Sequence, residues 1–198
     1  MTYKNDVVGF FDDLPPPEAD PEPAMHGAPW GGPPIGVIGG WVPWRIVLVR
    51  TEHAYALLRD FEALPTGLSF QLVACFDENV FGPERREPED PPVTDTRPWI
   101  GVRFSDGREA ATQRVRGMPT SGGNERRPVI RGRGGTGHPG EWRLGYWLWP
   151  LPPPGPLTWF ATWPEVGVGE ASVEVDASAL GPAAVESEQL WEDADQRF

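Results

Sequence analysis

Cysteine is almost absent. Cys75 stands alone in 198 residues, so no intrachain disulfide can form. Lysine is as scarce: Lys4 is the single lysine beside 16 arginines, so nearly all positive charge is guanidinium. The three histidines, His26, His53 and His138, lie far apart, and none has a partner at i+2 or i+4. That leaves no histidine-based metal motif. No apolar run approaches the roughly 18 residues of a membrane-spanning helix. Met1 to Asp13 holds no apolar stretch long enough for a signal peptide, so a cytoplasmic protein off the membrane is expected. No Gly-x-Ser-x-Gly elbow offers a nucleophile. Gly132-Arg133-Gly134-Gly135-Thr136-Gly137 lacks the Lys-Ser/Thr of a phosphate cradle, with no strand leading into it or helix out of it. The sequence predicts no catalytic residue, no metal and no cofactor.

Proline and glycine, by contrast, are abundant, at 25 and 24 residues, alongside ten tryptophans and 39% hydrophobic content. This combination fits a β-domain with a real core and long Pro/Gly loops. The net charge of -12 sits at the chain ends. Residues 1–30 hold six acids and one lysine, residues 170–198 hold eight acids and one arginine, and the stretch between is balanced. Such acidity repels a phosphate backbone, so nucleic acid is not an expected partner.

Residues 1–34 read as an acidic, Pro-rich tail, since Asp12 to Glu22 can bury little apolar area. The apolar pentad Val7-Val8-Gly9-Phe10-Phe11 interrupts it and is expected to dock, either on its own domain or on a partner. Residues 35–191 form the domain and residues 192–198 an acidic C-terminal tail. Trp44 to Arg50 is a strand by its β-branched content. Ala54 to Arg59 is read as a strand, with a short helix as the alternative. In Gly67 to Phe76, Leu68, Phe70, Leu72, Ala74 and Phe76 alternate toward the core, leaving Cys75 on the other face as a buried, inert thiol. Asp77 to Arg97 is a charged loop. Trp99 to Phe104 and Glu109 to Thr112 form a hairpin with a type I′ turn at Asp106-Gly107. Gly117 to Gly140 is a second loop, rich in glycine and arginine.

Glu141 to Pro164 holds five of the ten tryptophans. It reads as two adjacent strands, about 142–149 and 156–163, joined by a proline link that sets their register. Glu170 to Asp176 alternates as the last strand, and Ala177 to Trp191 reads as one helix capped by Ser178. Short strands with one late helix predict a mainly β protein: an antiparallel β-sandwich with long Pro/Gly loops and one C-terminal α-helix, a barrel being the alternative.

Two sets of residues are candidates for function. Strand alternation places Trp142, Leu144, Tyr146 and Leu148 on one face, and Leu157, Trp159, Ala161 and Trp163 likewise. Trp147, Trp149 and Phe160 then point outward, as a stacking platform for a small molecule or sugar, or lie beneath a tail, the helix or a partner subunit. Residues 108–133 carry seven arginines against Glu109 and Glu125. In that stretch Arg126, Arg127, Arg131 and Arg133, together with Phe10 and Phe11, are candidate partner-binding residues.

The segment Tyr146-Trp147-Leu148-Trp149-Pro150-Leu151-Pro152-Pro153-Pro154-Gly155-Pro156-Leu157, followed by Trp163-Pro164 and Val173-Glu174-Val175-Asp176, resembles a group of small β-rich proteins of high-GC bacteria with a WPLPPPGPL turn. Phe104 to Arg108 resembles their hairpin. The resemblance spans about two-thirds of the chain and implies the fold, with no assigned activity to carry over. Arginine in place of lysine, with much Ala, Gly and Pro, agrees with a GC-rich coding sequence.

The first expectation is a non-enzymatic interaction or assembly protein, contacting itself or a protein partner through its acidic tails and Arg/Gly-rich loop. The alternatives are a small-molecule or carbohydrate-binding sandwich, and an enzyme whose carboxylates (Asp77, Glu165 and Glu170 among them) meet only in space.

Overall fold

The computed structural model describes residues 9–11, 28–77, 97–112, 127–138 and 140–191. In chain order its elements are β1 (Val37–Ile38), β2 (Gly40–Val42), β3 (Ile46–Arg50), β4 (Ala54–Leu64), β5 (Gly67–Phe76), β6 (Trp99–Arg103), β7 (Glu109–Ala111), β8 (Val129–His138), β9 (Glu141–Trp149), β10 (Pro156–Trp163), β11 (Val168–Asp176), α1 (Leu180–Val185) and β12 (Glu188–Gln189). A larger sheet runs β2-β4-β5-β9-β8, with β3 beside β2 on the same edge of β4. A smaller one runs β11-β10-β6-β7, and β1 pairs with β12 alone. All pairings are antiparallel.

The two sheets pack face to face as a sandwich because each strand alternates as its sequence requires. Phe61, Phe70 and Tyr146 stack across β4, β5 and β9 at centroid distances of 5.6 Å. Trp159 of the opposite sheet meets Phe70 edge-on at 5.1 Å. Such pairs add about 0.5–1.5 kcal/mol each beyond their buried area. Leu68, Leu72, Ala74, Leu148, Leu157, Ala161 and Trp163 complete this core at 0% exposure. β4 serves β3 with its first half and β2 with its second. A bulge between Arg59 and Glu62 marks the change, with Asp60 in the left-handed region at φ 54°.

Several expectations need correction. β9 and β10 are not neighbours: they lie in different sheets, and the proline link carries the chain from one layer to the other. Their apolar faces are therefore set opposite each other, whereas neighbours in one sheet would have placed them side by side. Prolines at 150, 152, 153, 154 and 156 offer no N–H for a ladder. The link is held instead by Leu151 N–H to Thr66 O, Ser105 Oγ to Pro154 O, and Ala177 N–H to Gly155 O, at 2.8–3.2 Å. The predicted loop 117–140 contains β8. Its glycines fit because a Cβ on Gly137 would lie 2.0 Å from the Trp142 ring, and one on Gly135 would lie 2.2 Å from Arg143 O.

The predicted helix 177–191 is reduced to a 3-10 turn, Ala177–Ala179, and the six residues of α1. Asp176 caps it in place of Ser178, accepting the Ser178 N–H at 2.9 Å. Beyond Ser187 the chain turns to pair with β1. At the β6–β7 turn only Gly107 has positive φ, 85°, and Gly107 N–H bonds Phe104 O at 3.0 Å. That is a type I turn closed by a left-handed glycine, not type I′. The expected loop at 77–97 and the tail at 192–198 fall mainly outside the described residues.

Candidate docking surface

The outward aromatic residues do not share one face. Trp147 points away from the core of the larger sheet and Phe160 away from the core of the smaller one. Each is covered by its own stretch of the chain's first 34 residues.

Phe160 lies under Phe10, whose ring stacks on it at 4.1 Å with the planes 7° apart. Gly101 on β6 makes the space, since a Cβ there would sit 2.2 Å from the Phe10 ring. Phe11 meets Trp99 at 6.2 Å. The Arg103 guanidinium lies 5.6 Å from the Phe10 ring and 5.1 Å from Phe160, a cation–π arrangement over both. Glu170 fixes the backbone: its two carboxylate oxygens accept the N–H groups of Phe10 and Phe11 at 3.0 and 3.2 Å. Phe10 is thus buried in cis, on a site made of one glycine, one aromatic floor and one carboxylate.

Trp147 is fully buried. Its indole N–H donates to Pro29 O at 2.9 Å, and its ring lies against Gly67, where a Cβ would sit 2.5 Å away. Trp149, half-buried, meets Trp30 edge-on at 5.9 Å. A shared open platform of Trp147, Trp149 and Phe160 is therefore not formed.

Arg126 lies outside the described residues. Arg127 is exposed just before β8. Arg131 stands on β8 opposite Trp147, and Arg133 is exposed on that edge strand. Beside them a groove of about 230 Å³ is lined by Arg97, Trp142, Leu144, Tyr146 and the backbones of Gly132 and Gly135.

The carboxylates singled out in the sequence are dispersed. Glu170 holds the arm, Asp77 lies 3.8 Å from His53, and Glu165 sits in the turn after β10. Among the described residues no group of three His, Cys, Asp or Glu side chains could hold a metal. No helix there is long and apolar enough to cross a membrane. Cys75 is half-buried, contrary to the expectation of full burial, because it faces outward on β5 opposite Glu141. Burial and the Glu141 carboxylate still push its thiol above the usual range, against a smaller opposing effect of Arg143.

What remains open is a different surface, one that sequence reading missed. Ile35, Ile38, Trp41, Val185, Leu190 and Trp191 are the large hydrophobic residues left exposed among the described ones, at 39–86%. All six fall in 35–41 and 185–191, two segments joined by the β1–β12 ribbon and by Leu190 N–H to Gly36 O at 2.8 Å. Ile38 is paired with Glu188. Continuing the same register sets Leu190 opposite Gly36 and Trp191 opposite Ile35, which puts Ile38, Glu188 and Leu190 on one face of the ribbon and Ile35 and Trp191 on the other. Ala183 of α1 backs this region, its carbonyl so near Gly40 that a Cβ there would clash at 1.8 Å. The signal available in the sequence was the apolar content of Ile35-Gly36-Val37-Ile38, which did not reveal its distant partner strand. Compared with models of protein families, with curated proteins and with solved structures, the chain has no match.

Proposed function

We propose that this protein works by binding another macromolecule through the exposed apolar residues of segments 35–41 and 185–191, around the face that Ile38 and Leu190 share. The observation that carries the reading is the concentration of exposed large hydrophobic residues there. Large apolar side chains left exposed in one region mark association sites more often than singly scattered ones do. The rest of the sandwich supports the contrast. Its outward aromatic residues Trp147 and Phe160 are covered by the chain itself, whereas the ribbon is where large hydrophobic side chains stay exposed among the described residues. The reading is non-enzymatic. The Tyr146–Leu157 segment supports kinship in fold with the WPLPPPGPL group and brings no activity with it.

A photo-crosslinking residue placed at Ile38 or Leu190, and at Ser172 on β11 as a control, tests this in the protein's native cells. The ribbon positions are expected to give discrete adducts with the same polypeptide, and Ser172 none. Adducts at all three positions, or at none, would sink the proposal.

A second reading, binding of a small molecule, has one supporting observation in the 230 Å³ groove beside Trp142 and Tyr146. Quenching of tryptophan fluorescence by a metabolite, lost in Trp142→Phe, would favour it.

A further inference from the structure

The ribbon surface has a charge as well as an apolar character. Segments 35–41 and 185–191 contain no basic residue, whereas Glu186 and Glu188 lie between Val185 and Leu190 in the second. Both glutamates are exposed. Glu62, also exposed, is the cross-strand partner of Trp41 on β4. Among the described residues none of these three carboxylates is part of an ion pair. The acids of the larger sheet's strands behave differently elsewhere: Asp60 is paired with Arg59 at 2.9 Å, and Glu141 with Arg143.

We infer that the occupant of this surface is a basic segment with an apolar face: a peptide or helix whose Lys or Arg side chains meet Glu62, Glu186 and Glu188 while its apolar side chains cover Ile38, Trp41 and Leu190. This rests on the reading of the ribbon as a docking surface and specifies its partner. Burial of the apolar residues supplies most of the affinity. The unpaired carboxylates select the sign of the partner and speed its approach, because like charge is rejected and opposite charge is steered. The same charge disfavours a second copy of this chain on a two-fold axis, since such a contact would place Glu186 and Glu188 of one copy near those of the other.

The probes are two 18-residue peptides of matched helical pattern, one of leucine and lysine, one of leucine and glutamate, titrated by calorimetry into the full chain. The Leu/Lys peptide is expected to bind, more weakly as salt rises, and the Leu/Glu peptide not at all. The double variant Ile38→Asn/Leu190→Asn keeps the net charge and is expected to weaken binding about tenfold or more, with an unchanged melting temperature. Trp41→Gln serves as an independent variant should the double one unfold. Equal binding of both peptides, binding that survives these variants, or no binding overturns the inference. So does a concentration-dependent dimer in sedimentation that Ile38→Asn/Leu190→Asn abolishes, which would identify a second copy. If crosslinks at Ile38 persist while the Leu/Lys peptide fails, the docking surface stands and its partner class is wrong.

Discussion

Replacing Gly101 with valine is expected to expel the N-terminal arm while leaving the sandwich intact. The new Cβ would sit 2.2 Å from one carbon of the Phe10 ring and 2.9–3.0 Å from two others, and its nearest neighbours all belong to that ring. Phe10 cannot slide along Phe160, because its N–H is held by Glu170 and the ring is already 5% exposed. Undocking is therefore the cheaper response. Burying a Phe side chain gives about 1.5–3 kcal/mol, and stacking adds about 0.5–1.5 kcal/mol. Ordering the backbone of Gly9 to Phe11 opposes this by about 1–2 kcal/mol per residue, and the two hydrogen bonds to Glu170 offset part of that cost. The net loss is expected to be on the order of 1–2 kcal/mol, or a few degrees in Tm for a chain of this length. Thermal unfolding of Gly101→Val, Phe10→Ala and the double variant checks the mechanism. Once Phe10 is absent, valine should cost almost nothing, so the two effects should be strongly non-additive. Hydrogen exchange at the Phe10 and Phe11 amides should rise in Gly101→Val while that of β6 stays slow. A Tm loss that persists in the Phe10→Ala background, or continued protection of both amides, would refute the reasoning.

Three further outcomes are expected. Gly67→Ala brings a Cβ within 2.5 Å of both Leu148 O and the Trp147 ring; neither can retreat, so it should cost about 1–3 kcal/mol as overpacking, read by denaturant unfolding. Cys75, with its thiol pushed up by burial and Glu141, should react with iodoacetamide more slowly than a free thiol at pH 8, and Glu141→Gln should speed it. At the β6–β7 turn, slight burial works to raise the Asp106 carboxyl, but the Arg108 backbone N–H and guanidinium outweigh it and hold it below the ordinary 3.8. A carboxyl lowered on folding stabilises the fold above its unfolded value and loses that contribution as pH falls through the folded one. The Asp106 side-chain carbon signal should accordingly titrate below pH 3.8, and Asp106→Asn should flatten the acid side of the stability profile.

Regions with strict alternation were legible before the structure. Leu68, Phe70, Leu72 and Ala74 face the core as their spacing requires, and Trp159 and Trp163 do the same. Ala54 to Arg59 is indeed strand and extends to Leu64. Other regions are decided by partners far away in the chain. β8 carries so much glycine that it has no apolar pattern of its own, and β9 supplies its ladder. α1 stops where it does because residues 188–189 pair with residues 37–38, a contact no local window contains. The pentad announced that Phe10 would dock, but only the missing Cβ of Gly101 and the carboxylate of Glu170 show where. The apolar ribbon was illegible for the same reason, since each half taken alone is a short, unremarkable run.

The arm has a practical consequence for anyone who shortens this protein. By composition, residues 1–34 are an acidic, Pro-rich tail, and a trimmed chain starting at Ile35 would keep every described strand. It would also strip the cladding from both broad sides of the sandwich at once, leaving Trp147 without its Pro29 acceptor and Phe160 without its stacked ring. Such a fragment would carry two freshly bared aromatic surfaces facing opposite ways, a geometry suited to open-ended stacking of molecules. Stickiness in a trimmed fragment would then reflect the lost cladding and say nothing of the ribbon.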